Sequence, residues 1–204
     1  MHLFLVRHGE TEHNRQNLAL GQDDVSLNET GLRQAEALGR ALSEERLSVV
    51  YASPLVRASC TAEAIAKPYG LEVVIEDGLI EMDVGEMDGL PFADVREKFP
   101  GFIERWLGPE GPNERMPGGE RLVDVRDRAD AALSAIVKRH EGERVCLVSH
   151  NFVILSLLTQ LMGLELAGFR RLTHSVAAIT RVEWRRGSPV VVSLNDTCHL
   201  AGIT

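Results

Sequence analysis

The chain has 204 residues, 44% of them hydrophobic, which suits one domain over residues 1–204 with a sizeable buried core. Its 22 basic and 30 acidic residues leave a net charge of -8, which repels nucleic acid phosphates and anionic membrane surfaces, so neither is an expected partner. Any anion must be captured by a local pocket. Cys60, Cys146 and Cys198 are too few and scattered for a disulfide framework and lack metal spacing, so reduced thiols are expected. The first apolar run is far too short for a signal peptide or membrane span, and a cytoplasmic location is the expectation.

Leu3 to Val6 reads as a short buried strand that ends in Arg7 and His8. Leu32, Ala35, Leu38 and Leu42 recur at helical spacing, and Asn28 can cap the start, which predicts a helix to about Glu45. Ser48 to Ala52 is a second strand. Pro54 suits the first turn of a helix running to about Lys67, and Glu72 to Ile75 is a third strand. Between about Gly85 and Gly119 prolines and glycines cluster, as in PGFIERWLGPEGPNERMPGG. This stretch has too few apolar residues for its own core, so it reads as an insertion with one or two short helices, a lid over the active site. Leu122, Val125, Ala129, Leu133 and Ile136 then mark one face of a helix, and Val145 to Ser149 is a further strand. Phe152 to Leu161 is too apolar for a surface helix. Ala178 to Trp184 and Val190 to Leu194 flank a turn at Arg185 to Ser188 as an antiparallel hairpin. This order predicts an α/β fold: a three-layer α/β/α sandwich on a mostly parallel sheet, with one antiparallel edge strand and the small helical insertion over the site.

In open α/β sheets ligands bind beyond the carboxyl ends of the strands. Three predicted strands end in functional groups there: Arg7 and His8, then Arg57 in SPLVRA, then His150 after VCLVS. Glu81 comes from the loop LIEMDVGEMDG. Two arginines and two histidines at one sheet edge make a dense positive pocket on an acidic protein, and phosphate is the anion with matching geometry. Like charge from the guanidinium groups pushes a histidine pKa down, so His8 is expected to be a neutral nucleophile.

These motifs resemble the histidine phosphatase superfamily, which shares its fold with cofactor-dependent phosphoglycerate mutase. The resemblance is carried by RHGET with Asn14 downstream, GQDDVSLNETGLRQA, SPLVRASCTA, LIEMDVGEMDG, PGGE and LVSH, while NDTCHL at Asn195 to Leu200 resembles the tail of its small phosphatases. It implies that His8 forms a phosphohistidine, that Arg7, Arg57 and His150 hold the phosphoryl oxygens, and that Glu81 protonates the leaving oxygen. Asn14 and the amides opening the helix after His150 would add neutral donors. Neighbouring arginines favour an ionised Glu81, so a bound phosphate dianion is expected to raise its pKa before it acts as acid, and then as base toward water. No metal or other cofactor is implied. The chain departs from the family pattern at Asn151, where glycine is usual, at Arg121, where serine is usual, and at Leu20, often polar, beside the Gly21 turn. These positions bear on substrate choice.

The expected activity is a metal-independent phosphomonoesterase acting on a small phosphorylated metabolite, sugar or hydroxy acid in type. Two alternatives stand beside it: a mutase moving phosphate between hydroxyls, which must exclude water from the phosphohistidine, and a noncatalytic phosphate-ligand binding module. Asp23 and Asp24 read as an acidic turn rather than a metal site. His199 is singled out because the tail could fold back beside the pocket. Phe102, Trp106 and Met116 are lid packing, substrate wall or both. A homodimer through the last strand or the apolar Phe152 helix is a further expectation.

Overall fold

The computed structural model of the protein describes residues 1–203. Six strands form one sheet: β1 (His2–Arg7), β2 (Val49–Ala52), β3 (Val73–Ile75), β4 (Arg144–Ser149), β5 (Ile179–Arg185) and β6 (Ser188–Asp196), in the spatial order β3-β2-β4-β1-β5-β6. Strands β1 to β4 are parallel, and β5 pairs antiparallel with both β1 and β6. The reversed strand expected at the edge therefore lies one place in. Its hairpin partner β6 takes the edge and runs with β1, because β5 already pairs with β1 on its other side.

The helices are α1 (Glu12–Arg15), α2 (Glu29–Leu42), α3 (Val56–Ala66), α4 (Phe92–Lys98), α5 (Pro100–Leu107), α6 (Leu122–Arg139) and α7 (Asn151–Leu161). Alternation along the central strands builds a core on each face of the sheet. Leu3, Leu5, Val145 and Leu147 join α6 and α7, while Phe4, Val6, Cys146 and Val148 join α2 and α3. Both faces of β1 and β4 are thus covered, which is why they read as continuous apolar runs. The apolar residues Val153 to Leu158 of α7 are buried in this core. Strand β6 does expose Val190, Val192 and Leu194 at the sheet edge.

Helix α2 begins where its cap predicts, with the Asn28 side chain accepting from the Gly31 amide. Helix α3 starts two residues later than the proline signal suggests. Ser53 Oγ accepts from the Leu55 amide and the Asp24 carboxylate from the Val56 amide, so the acidic turn caps a helix distant in sequence. The loop after β1 presses against α2: a Cβ on Gly31 would stand 2.0 Å from the Glu10 carbonyl oxygen. Only a glycine admits that approach. No helix among the described residues is long and apolar enough to cross a membrane.

Candidate active site

The spatial order of the strands assembles the site. Strand β4 lies between β1 and β2, with Arg7 in register with Ser149 and Ala52 with Val148. All three strands therefore end at one level, where the His8 amide donates to the Ser149 carbonyl and the Ser53 amide to the Val148 carbonyl. The rings of His8 and His150 come to 5.1 Å between centroids. Arg57, in the first turn of α3, and Glu81, from the loop after β3, complete the cluster.

His8 Nδ1 lies 2.7 Å from the Gly9 carbonyl oxygen. A carbonyl only accepts, so Nδ1 carries the hydrogen and Nε2 is left with its lone pair. Burial first, then the Arg57 and Arg7 charges, hold the ring pKa well below its ordinary 6.5. Like charge is thus the second cause of the neutral imidazole, not the first. His150 is depressed by the same causes, and its Nε2 meets Ser53 Oγ at 2.7 Å.

Glu81 is buried, its carboxylate accepting from the Met82 amide at 2.9 Å and the Phe152 amide at 3.3 Å. Burial raises its pKa above the ordinary carboxyl value, although those amides and both arginines pull it down. Desolvation thus acts in the same direction as a bound phosphate dianion would, against the pull of the arginines.

Arg7 Nη1 donates to the His174 carbonyl at 2.7 Å and to Asn151 Oδ1 at 3.2 Å. Arg57 donates through its two Nη atoms to the carbonyls of Gly21 and Asp23. Among the described residues, Arg7 Nε, Arg57 Nε and His150 Nδ1 are buried without a hydrogen-bond partner. Buried cationic donors left unmatched are costly unless an anion meets them.

Above this floor lies a cavity of about 540 Å³, lined by Arg7, His8, Asn14, Leu20, Glu81 and Asn151 among others. Arg57, His150 and Gly21 are not among its lining residues, and Arg57 and His150 are fully buried. Asn14 is half turned to its own helix, its Oδ1 accepting from the Thr11 amide. The insertion does cover this space: Phe92 and Val95 of α4, Phe102 and Trp106 of α5, and Met116 all border the cavity. Arg121 instead pairs with Asp124 at the start of α6 and does not reach the cavity.

Several supporting residues carry no local signal in the sequence. Arg128 of α6 donates to the carbonyls of Gly78, Ile80 and Glu81 and pairs with Glu120 at 3.1 Å, so one guanidinium shapes the loop that presents Glu81. Gln22 donates to the same Glu81 carbonyl. His174 is buried, its pKa pushed down to about 4, chiefly by burial. The tail braces its loop: Asn195 Oδ1 accepts from the Ser175 amide, and His199 Nε2 meets the Ala177 carbonyl at 3.0 Å. The tail thus reaches the site at second hand, through the loop that holds Arg7. No group of three or more histidine, cysteine or acidic side chains among the described residues is placed to hold a metal ion.

The model of the histidine phosphatase superfamily, branch 1, matches residues 3–197. Phosphoserine phosphatase 1 of Hydrogenobacter thermophilus is 37% identical over 199 residues, covering 97% of this chain and 93% of that protein. A probable phosphoglycerate mutase of Salmonella choleraesuis is 31% identical over 205 residues, covering 98% and 95%. Among solved structures, Bacillus stearothermophilus YhfR superposes with a TM-score of 0.90 at 30% identity, covering 98% of both chains.

Proposed function

The chain belongs to the histidine phosphatase superfamily, branch 1, and from that membership we propose that it hydrolyses small phosphomonoesters through a phosphohistidine on His8. The reading is carried by one observation: the Gly9 carbonyl fixes the His8 tautomer, so an unprotonated nitrogen stands beside buried guanidinium groups whose Nε atoms are unmatched. His8 Nε2 attacks phosphorus, the ester P–O bond breaks, and Glu81 delivers its proton to the departing oxygen. Water then attacks the phosphohistidine, Glu81 takes back a proton, and the P–N bond breaks to release inorganic phosphate. Arg7, Arg57 and His150 hold the charge that spreads over the equatorial oxygens. Arg57 acts mainly as charge, since its Nη donors serve backbone carbonyls.

Attack on an ester requires a nucleophile with a free lone pair and an acid for the leaving oxygen; burial pushes His8 down toward the first and Glu81 up toward the second. The 37% identical relative is named a phosphoserine phosphatase, which supports hydrolysis. Phosphoryl transfer between hydroxyls is the competing reading, favoured by the relative named a probable phosphoglycerate mutase. Incubation with 3-phosphoglycerate, its bisphosphate and a panel of monoesters separates the two. Release of inorganic phosphate with trapping of acid-labile phosphohistidine supports the hydrolase. Fast isomerisation with negligible free phosphate overturns it, and binding without either reaction makes the chain a ligand-binding module.

A further inference from the structure

We propose that the alcohol released is apolar: the phosphate sits on the Arg7–His8 floor, and the carbon skeleton lies beneath Trp106 and Phe102. This rests on the hydrolase reading and narrows its substrate class. A cavity of about 540 Å³ lies in the range that holds a drug-sized ligand. A phosphoryl group with three carbons leaves much of it unused. Its roof is apolar, and of the residues that α4 and α5 contribute, only Arg96, exposed on α4, carries a charge.

The rim is the second observation. Leu107, 64% exposed, and Phe92, 56% exposed, stand out among the chain's exposed large hydrophobic side chains, and both border this cavity. Apolar side chains left in water at a pocket mouth are covered at a gain by an apolar ligand. The roof is also held in place before any ligand arrives. Trp106 stacks on Phe102 at 5.9 Å, meets Phe152 edge-on at 6.1 Å, and is capped by the Arg170 guanidinium at 5.2 Å. A rigid aromatic wall loses little entropy on binding.

A doubly charged skeleton fits the same space poorly. An amino acid phosphate would bring an ammonium and a carboxylate into a cavity where, away from the floor, Val84, Met87, Met116 and the α4–α5 side chains outnumber the polar groups Asn14, Asn17 and Arg96 that could replace their water. Glu10, which also lines the cavity and accepts from the Asn28 side chain, repels a carboxylate and attracts an ammonium, so it favours no net gain for the doubly charged skeleton. Leu20 adds a further apolar side chain to the lining.

The test is phosphate release from ethyl, butyl and hexyl phosphate, with phosphoserine and 3-phosphoglycerate alongside. The expected kcat/KM rises by about two- to fourfold per methylene, mostly through KM, and hexyl phosphate exceeds both charged substrates. Trp106→Ala reduces the hexyl-to-ethyl ratio by roughly tenfold. A ratio that stays flat along the series, or a preference for phosphoserine or 3-phosphoglycerate over hexyl phosphate, overturns the inference while leaving a hydrolase. Calorimetry with alkylphosphonates separates it from catalysis altogether. Hexylphosphonate binding at least tenfold tighter than ethylphosphonate supports the apolar site even in a protein that releases no phosphate, and equal affinities overturn it.

Discussion

The floor and the roof of the cavity are built on opposite principles. The floor is polar, buried and rigidly specified: Arg7, His8 and His150 are fixed by adjacent strand ends, and their hydrogen bonds run to backbone carbonyls or to side chains anchored elsewhere. The roof is apolar and made of the two short helices α4 and α5, with Phe92 and Leu107 open to water at its rim. Charge must be positioned to fractions of an ångström to act on a phosphoryl group, whereas apolar contact tolerates adjustment. On the proposed reading, chemistry falls to the strand ends with Arg57 and Glu81, and choice of substrate to the insertion.

The sharpest way to break that division is His8→Ala. Turnover is expected to fall by roughly ten-thousandfold or more for every ester alike, with inorganic phosphate still binding in a calorimeter. A loss that varied strongly with the ester's carbon skeleton would mean that the floor also selects substrate. Glu81→Gln comes next, with kcat reduced about 10²–10⁴-fold and least for esters of good leaving groups. In the wild type, kcat/KM is expected to fall as pH rises through the raised Glu81 value. The glutamine variant loses that limb.

The same buried groups set the pH dependence of stability. The pKa of Glu81 is raised in the folded chain, so the fold binds its proton more tightly than the unfolded chain does. Stability from this group is lost as pH rises from the ordinary carboxyl range through the folded value. At neutral pH Glu81→Gln is therefore expected to raise Tm, by roughly 2–4 °C for each kcal/mol relieved. His8 and His150 act in the opposite sense. Their folded pKa values are depressed, so stability falls as pH drops below the ordinary 6.5, where the unfolded chain takes up protons first. Thermal melts from pH 5 to 8 check both signs.

Arg128→Met probes the support beneath the floor. It removes donors to three carbonyls of the Glu81 loop, and kcat is expected to fall about tenfold with KM little changed and the Glu81 limb of the pH profile displaced. Arg128→Lys, restoring charge without the fork, should recover only part of the loss. The smallest expected effect is that of a chelator, which leaves the rate unchanged. A loss restored by added divalent ion would introduce a partner that neither floor nor roof accounts for.

Much of this was legible in the chain itself. The apolar runs at Leu3 to Val6 and Val145 to Ser149 announce strands because both faces are covered, and Asn28 announces a helix because its side chain meets an amide three residues on. The polar cluster is legible for the same local reason: Arg7, His8 and His150 directly follow strand signals. The four-residue α1 was not, since its cap is a reciprocal exchange between Thr11 and Asn14 too short to show as periodicity.

Read alone, the chain announces the strands, the long helices and the chemical groups at their ends, because these follow from side-chain periodicity and capping within a few residues. Only the tertiary structure decided that β4 inserts between β1 and β2, that burial outweighs the arginines at Glu81, and that Arg128 and Asn195 brace the site from 47 and 20 residues away. Strand order, depth and long-range hydrogen bonds depend on where distant segments come to rest, and no short window of sequence contains both partners.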